Sequence, residues 1–199
     1  RAQFFYEQEL YDYSDADYAA MIKLDKDDVT AIVGVARNLI AREKYTEAVE
    51  ALDYVVALYS DYSSGYAFRA QAYAGLEDYV SAASDIVSAL SIDGSDNAFM
   101  TMMGIAEPGY EQLVARLRAK SITESNNYYW PYCIGIVNEL NEKYEQAAEY
   151  YTKSATIDPT DVTYARLASV LEDLGRYEES AAAIEKAIDM DPKDETYHN

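Results

Sequence analysis

Small and bulky apolar residues return along this chain in two stripes per period of about 34 residues, and a tyrosine marks the period. Tyr11, Tyr45, Tyr79, Tyr110, Tyr144 and Tyr177 are separated by 34, 34, 31, 34 and 33 residues. Three places after each tyrosine stands a small residue (Ser14, Ala48, Ala82, Ala147, Ser180), with Leu113 the exception, and four places later a larger one (Tyr18, Leu52, Ile86, Leu117, Tyr151, Ile184). Such spacings fall on one face of an α-helix. A second stripe precedes each tyrosine, with small residues at Ala2, Ala36, Ala70, Gly104, Gly135 and Ala168 and a bulky one three places on at Phe5, Leu39, Tyr73 and Leu171. Each period therefore predicts two helices, whose small residues allow close approach while the bulky neighbours fill the space between.

This pattern divides the chain into a partial unit over 1–28, units over 29–62, 63–96, 97–127, 128–160 and 161–193, and the start of a further helix over 194–199. The chain opens inside a unit, so a piece of a longer protein is expected. The unit over 97–127 diverges. Glu107-Pro108-Gly109 replaces the usual helix end and turn, Leu113 stands where a small residue is expected, and Lys120 where an apolar one is usual. Pro131 is tolerable only in the first turn of its helix, where the missing N–H costs nothing. The acidic loops around Asp25, Asp27, Asp28, Asp158 and Asp191 suit helix capping. Calcium competes for Asp25, Asp27 and Asp28, but Thr30 and Ala36 stand where a calcium loop needs its glycine and glutamate.

A two-helix unit of this length resembles the tetratricopeptide repeat. The fullest copy is Leu167, Ala168, Leu171, Gly175, Tyr177, Ser180, Ile184, Ala187 and Pro192, followed by Ile134, Gly135, Tyr144, Ala147, Tyr151 and Pro159. The resemblance covers essentially the whole chain. It implies an all-α fold, a right-handed solenoid of antiparallel helix pairs forming one domain over 1–199, with five full repeats behind a truncated first one. It also implies a partner-binding scaffold whose first helices line a concave wall. Residues on that wall spared from packing are the candidate partner-binding groove: Arg37, Phe68, Gln71, Met102, Ile105, Tyr129, Tyr132, Ile136 and Arg166. Family members that grip a partner's C-terminal carboxylate use Lys and Asn at fixed groove positions. Here those places read Val33, Arg37, Phe68, Ala98 and Met102, so that particular clamp is missing.

Composition narrows the partner. Lys and Arg number 16 against 36 Asp and Glu, a formal charge of −20, which repels nucleic acid and anionic headgroups alike. No apolar run approaches the roughly 18 to 20 residues that span a bilayer. The expected protein is soluble, cytoplasmic or, with a removed signal, periplasmic. Cys133 is the single cysteine and His198 the single histidine. Neither finds a partner for nucleophilic or metal chemistry in the sequence, and phosphate-loop, esterase-elbow and zinc spacings are lacking. No enzyme activity, cofactor or metal is expected. The glutamates at 43, 47 and 50, at 142, 145 and 149, and at 178, 179 and 185 read as solvated outer faces.

The reading that follows is a non-catalytic scaffold holding a peptide or helix in its groove, with Arg37 and Arg166 as isolated cations able to hold a partner carboxylate. The same groove filled by the rest of a larger enzyme or transport assembly is one alternative. The other is glycan capture on an exported protein, because Tyr59, Tyr62, Tyr66, Tyr150 and Tyr151 fall outside the packing tyrosines and could form outer aromatic patches.

Overall fold

The computed structural model describes residues 1–94 and 96–193, and the helical start expected over 194–199, with His198, lies outside them. Among the described residues every regular element is an α-helix. The first helices are α1 (Ala2–Glu7), α3 (Val29–Ala41), α5 (Ser63–Gly75), α7 (Asp96–Ile105), α9 (Tyr129–Leu140) and α11 (Asp161–Asp173). The second helices are α2 (Tyr11–Leu24), α4 (Tyr45–Leu58), α6 (Tyr79–Ile92), α8 (Tyr110–Thr123), α10 (Tyr144–Ile157) and α12 (Tyr177–Met190). Each periodic tyrosine is thus the first residue of its second helix. No helix among the described residues is long and apolar enough to cross a membrane.

The turns within the pairs explain why the tyrosine sits there. At the end of α3, the Lys44 N–H donates to the Leu39 carbonyl at 2.9 Å and the Glu43 N–H to Ile40 at 2.9 Å. This 6→1 and 5→2 pattern satisfies carbonyls a helix end leaves free and requires a left-handed residue between. Glu9, Glu43, Glu77, Glu142 and Gly175 fill that place, with φ of 57°, 59°, 60°, 56° and 70°. The matching long bonds run from Leu10 to Phe5, Asp78 to Tyr73, Lys143 to Asn138 and Arg176 to Leu171. Four of these left-handed residues are therefore glutamates, whose Cβ makes that conformation costly. The divergent unit turns differently at Pro108-Gly109, where φ of Gly109 is −104°. Between units, Asp28 and Thr160 accept from the backbone N–H of Ala31 and Thr163 at 3.0 and 3.1 Å, and within a pair Asp78 accepts from Ser81 at 3.1 Å, each a cap worth about 1 kcal/mol. Pro131 is the third residue of α9, inside its first turn.

Two compact units result, Arg1–Ile105 and Ala106–Asn199, dividing between α7 and α8 inside the divergent repeat. In the first, Ala36, Ala48, Ala70 and Ala82 are fully buried with Leu52 and Ile86. Glycines admit rings there: an ideal Cβ on Gly34 would lie 2.2 Å from Tyr18, and one on Gly75 2.4 Å from Tyr45. Arg69 on α5 bridges Asp53 of α4 and the buried Asp85 of α6. In the second unit, Trp130, Ile134, Val137 and Tyr151 make the core, and a Cβ on Gly135 would meet the Tyr151 ring at 2.5 Å.

Three details differ from the sequence reading. Gly104 is not a point of close approach, since nothing lies within 4 Å of an added Cβ. Tyr177 fills no interior space and is 68% exposed, because no described helix follows α12 to cover it. Tyr151, grouped with the outer tyrosines, is fully buried, because Gly135 opens room for its ring.

Candidate functional site

Residues 34 apart occupy the same place on consecutive first helices, so a side chain's neighbour in the stack can be read by adding the period. Gln3, Arg37, Gln71 and Ile105 form such a series on α1, α3, α5 and α7; between α9 and α11 the step is 33, so Arg166 takes the place of Cys133, beside Tyr132.

In the first compact unit Arg37 is the centre. Its guanidinium carbon lies 4.5 Å from the centroid of the Tyr6 ring and 5.3 Å from that of Phe68, and Nη1 donates to Gln3 Oε1 at 3.1 Å. Aromatic faces stabilise a cation without neutralising it. Arg37 forms no ion pair among the described residues, and its Nε is buried without a hydrogen-bond partner. One turn earlier, Gly34 lets the Tyr18 ring close beneath, and burial raises the Tyr18 hydroxyl above the usual phenol range, with Arg37 opposing the shift. Gln71 Nε2 donates to Thr101 Oγ1 at 3.0 Å, and that hydroxyl donates to the Asn97 carbonyl at 2.8 Å. Phe68 and Gln71 are half-buried. Met102 and Ile105 differ from the expectation of groove-facing side chains, being 0% and 5% exposed. Apolar side chains at this face gain more by packing inward than by waiting for a ligand.

The second compact unit carries the other candidates. Arg166 donates from Nη1 to both Glu139 carboxylate oxygens at 3.2 and 3.3 Å, and from Nε to the Tyr132 hydroxyl at 3.3 Å. The Tyr151 hydroxyl donates to the same carboxylate, and the Tyr132 and Tyr151 rings lie 5.9 Å apart. Burial, then the charge of Glu139, raises the Tyr151 hydroxyl far above the phenol range, so it serves as a neutral donor. Arg166 is therefore not an isolated cation, as the sequence reading had it, because Glu139 answers its charge. Burial likewise raises Tyr129, which hydrogen-bonds Cys133, and pushes the enclosed Cys133 thiol up to about 12. Ile136 is 1% exposed and belongs to the core. Tyr129, Tyr132 and Arg166 stay half-buried.

Sequence reasoning missed Gln3, Tyr6, Glu139 and Tyr151 as parts of these clusters. The 34-residue step from Gln3 to Arg37 was a usable signal. The Glu139 contact was not, since it joins the last turn of α9 to the middle of α11 through side-chain rotation alone. No three residues among His, Cys, Asp and Glu converge to hold a metal among the described residues. What the two clusters offer is recognition: a cation on aromatic faces in one, and a tyrosine, arginine and glutamate network in the other.

Comparison with known proteins agrees with this architecture. Two family models, each described as "Tetratricopeptide repeat", match the chain, one over residues 134–161 and 162–194 and the other over 36–97. No protein with a curated description matches. Similar solved structures include MamA, at 16% identity with 98% of this chain and 97% of that chain covered and a TM-score of 0.49. A tetratricopeptide repeat protein from Parabacteroides merdae is similar at 14% identity, covering 99% and 78%, with a TM-score of 0.49. YrrB, described as a TPR protein with an unusual peptide-binding site, is similar at 16% identity, covering 91% and 95%, with a TM-score of 0.47. The matched segments span more than half of the sequence and coincide with the helix pairs, and the chain belongs to the tetratricopeptide repeat family.

Proposed function

We propose that this chain is a non-catalytic interaction scaffold that holds an extended peptide or a helix against its first helices, with Arg37 as the principal anchor. The observation that carries this reading is the uncompensated charge of Arg37. On a chain of net charge −20, one arginine is held between two rings and a glutamine amide, with a buried Nε–H that has no acceptor among the described residues. A carboxylate supplied by a ligand would answer that charge through the rest of the guanidinium. Phe68 would add apolar contact and Gln71 a polar rim.

The test is a panel of synthetic peptides carrying apolar residues next to a C-terminal carboxylate, each paired with its C-terminal amide and titrated by fluorescence anisotropy. Carboxylate peptides should bind more tightly than their amides, and Arg37→Glu should weaken them roughly 10- to 100-fold, the range for a hydrogen-bonded charge pair. Phe68→Asp should do the same without loss of helicity. Equal binding of carboxylate and amide forms, or binding indifferent to Arg37→Glu, would overturn the assignment.

A further inference from the structure

A second surface, made of other residues, lies in the second compact unit. Helices α10, α11 and α12 enclose an open cleft of about 450 Å³, with Leu167 and Leu171 on its floor, Ala148 and Thr152 on one wall, and Ala182 and Ala183 on the other. The small side chains hold it open, as the corresponding helices of the first compact unit illustrate. Counting from the periodic tyrosines and alanines, Arg69 stands in the place of Leu167, Asp53 in that of Thr152 and Asp85 in that of Ala183. There Arg69 donates to Asp53 at 2.8 Å and to Asp85 at 2.7 and 2.8 Å, spanning the space between α4 and α6 with its own side chain. Leu, Thr and Ala cannot do so, and the space remains available.

The rim states what would enter. Its two cations are engaged within the chain: Arg176 pairs with Glu179 through two bonds of 2.7 and 2.6 Å, and the Lys186 ammonium lies 5.0 Å from the centroid of the Tyr164 ring. Glu145 and Glu149, one turn apart on α10, are exposed, and their side chains form no hydrogen bond or close ion pair among the described residues, although Arg176 feels the charge of Glu145. An apolar floor beside two exposed carboxylates complements a segment that offers an aliphatic side chain with Lys or Arg one helical turn away. We infer that this cleft docks a basic amphipathic helix of a partner protein, as a recognition surface distinct in residues and in charge preference from Arg37.

The probe is a fluorescein-labelled synthetic helical peptide carrying Leu and Lys one turn apart, titrated with the full chain while amide chemical shifts are followed. Shifts should centre on Ala148, Leu167 and Ala183. Glu145→Gln with Glu149→Gln, both at exposed positions, should weaken binding roughly three- to tenfold and flatten its salt dependence. Replacing the peptide's Leu by Ala should cost roughly tenfold. Arg37→Glu should leave this affinity unchanged, which separates the inference from the reading of the first-helix face. Absence of binding, affinity indifferent to the two glutamines, shifts centred on Arg37, or the same shifts appearing on concentrating the chain alone, which would assign the cleft to a second copy, would each overturn it.

Discussion

Substituting Gly135 by Ala tests the contact on which the second unit's core is built. An ideal Cβ there would lie 2.5, 2.6 and 3.0 Å from three carbons of the Tyr151 ring, against an ordinary carbon contact of about 3.5 to 4.0 Å. The ring must therefore retreat by about 1 Å. It has little room to do so, because Tyr151 is 0% exposed and its hydroxyl is tethered to Glu139, itself held by Arg166. Overpacking of this kind costs about 1 to 3 kcal/mol. Against it stands a gain of about 1 kcal/mol for replacing glycine by alanine inside a helix. The net expectation is a loss of about 0 to 2 kcal/mol. Gly104→Ala supplies the control: it is helical and exposed, and meets nothing within 4 Å, so it should stabilise by about 0.5 to 1 kcal/mol. Urea denaturation followed by circular dichroism measures both variants. Fluorescence of Trp130, the single tryptophan, buried on α9 five residues before Gly135, reports the affected unit directly. If Gly135→Ala raises the midpoint as much as Gly104→Ala, the ring does not rest on this glycine and the packing account fails.

Three other expectations follow from the same geometry. Gly175→Ala should destabilise by about 1 kcal/mol in urea titrations, because φ at that turn is 70°, whereas Glu43→Gly should be neutral to mildly stabilising. Arg69→Leu should lose about 3 kcal/mol by leaving Asp85 buried without its counter-ion, while Arg69→Leu combined with Asp85→Ala should recover most of that loss; a thermal melt that finds the double variant no better than the single one contradicts the pairing. Alkaline pH should destabilise the chain. Burial raises the folded-state pKa of Cys133 to about 12 and raises Tyr18, Tyr73, Tyr129 and Tyr151 above the ordinary phenol value. Above pH of about 9 the unfolded chain has then released protons that the folded chain retains, so the stability present below that point is lost as pH rises, at about 1.4 kcal/mol per unit for Cys133 alone. A flat urea midpoint between pH 8 and 11 would argue against the burial of these groups.

The helices were legible because their signal is local and repeated. A tyrosine that begins a second helix leaves the same mark six times, and small residues such as Ala48, Ala82 and Ala147 are buried where the stripe requires. The turns were less legible. Glu43 and Glu142 read as solvated charge, and nothing in their chemistry announces a left-handed backbone that glycine fills openly only at Gly175. The candidate groove was legible as a set of positions, but not as a set of exposed side chains. Met102, Ile105 and Ile136 share repeat places with Phe68, Gln71 and Arg37-like residues yet pack inward, since burial depends on neighbours the repeat does not specify. The contrast between Arg37 and Arg166 rests on one glutamate, Glu139, whose reach across two helices has no sequence period.

The most direct measurement of the central claim is the side-chain Nε–H resonance of Arg37 during titration with matched carboxylate and amide peptides. The account predicts that this buried donor, without a partner among the described residues, shifts strongly as a carboxylate docks on its guanidinium and little with the amide. An Arg37 resonance that stays fixed while a peptide binds elsewhere on the chain would contradict it.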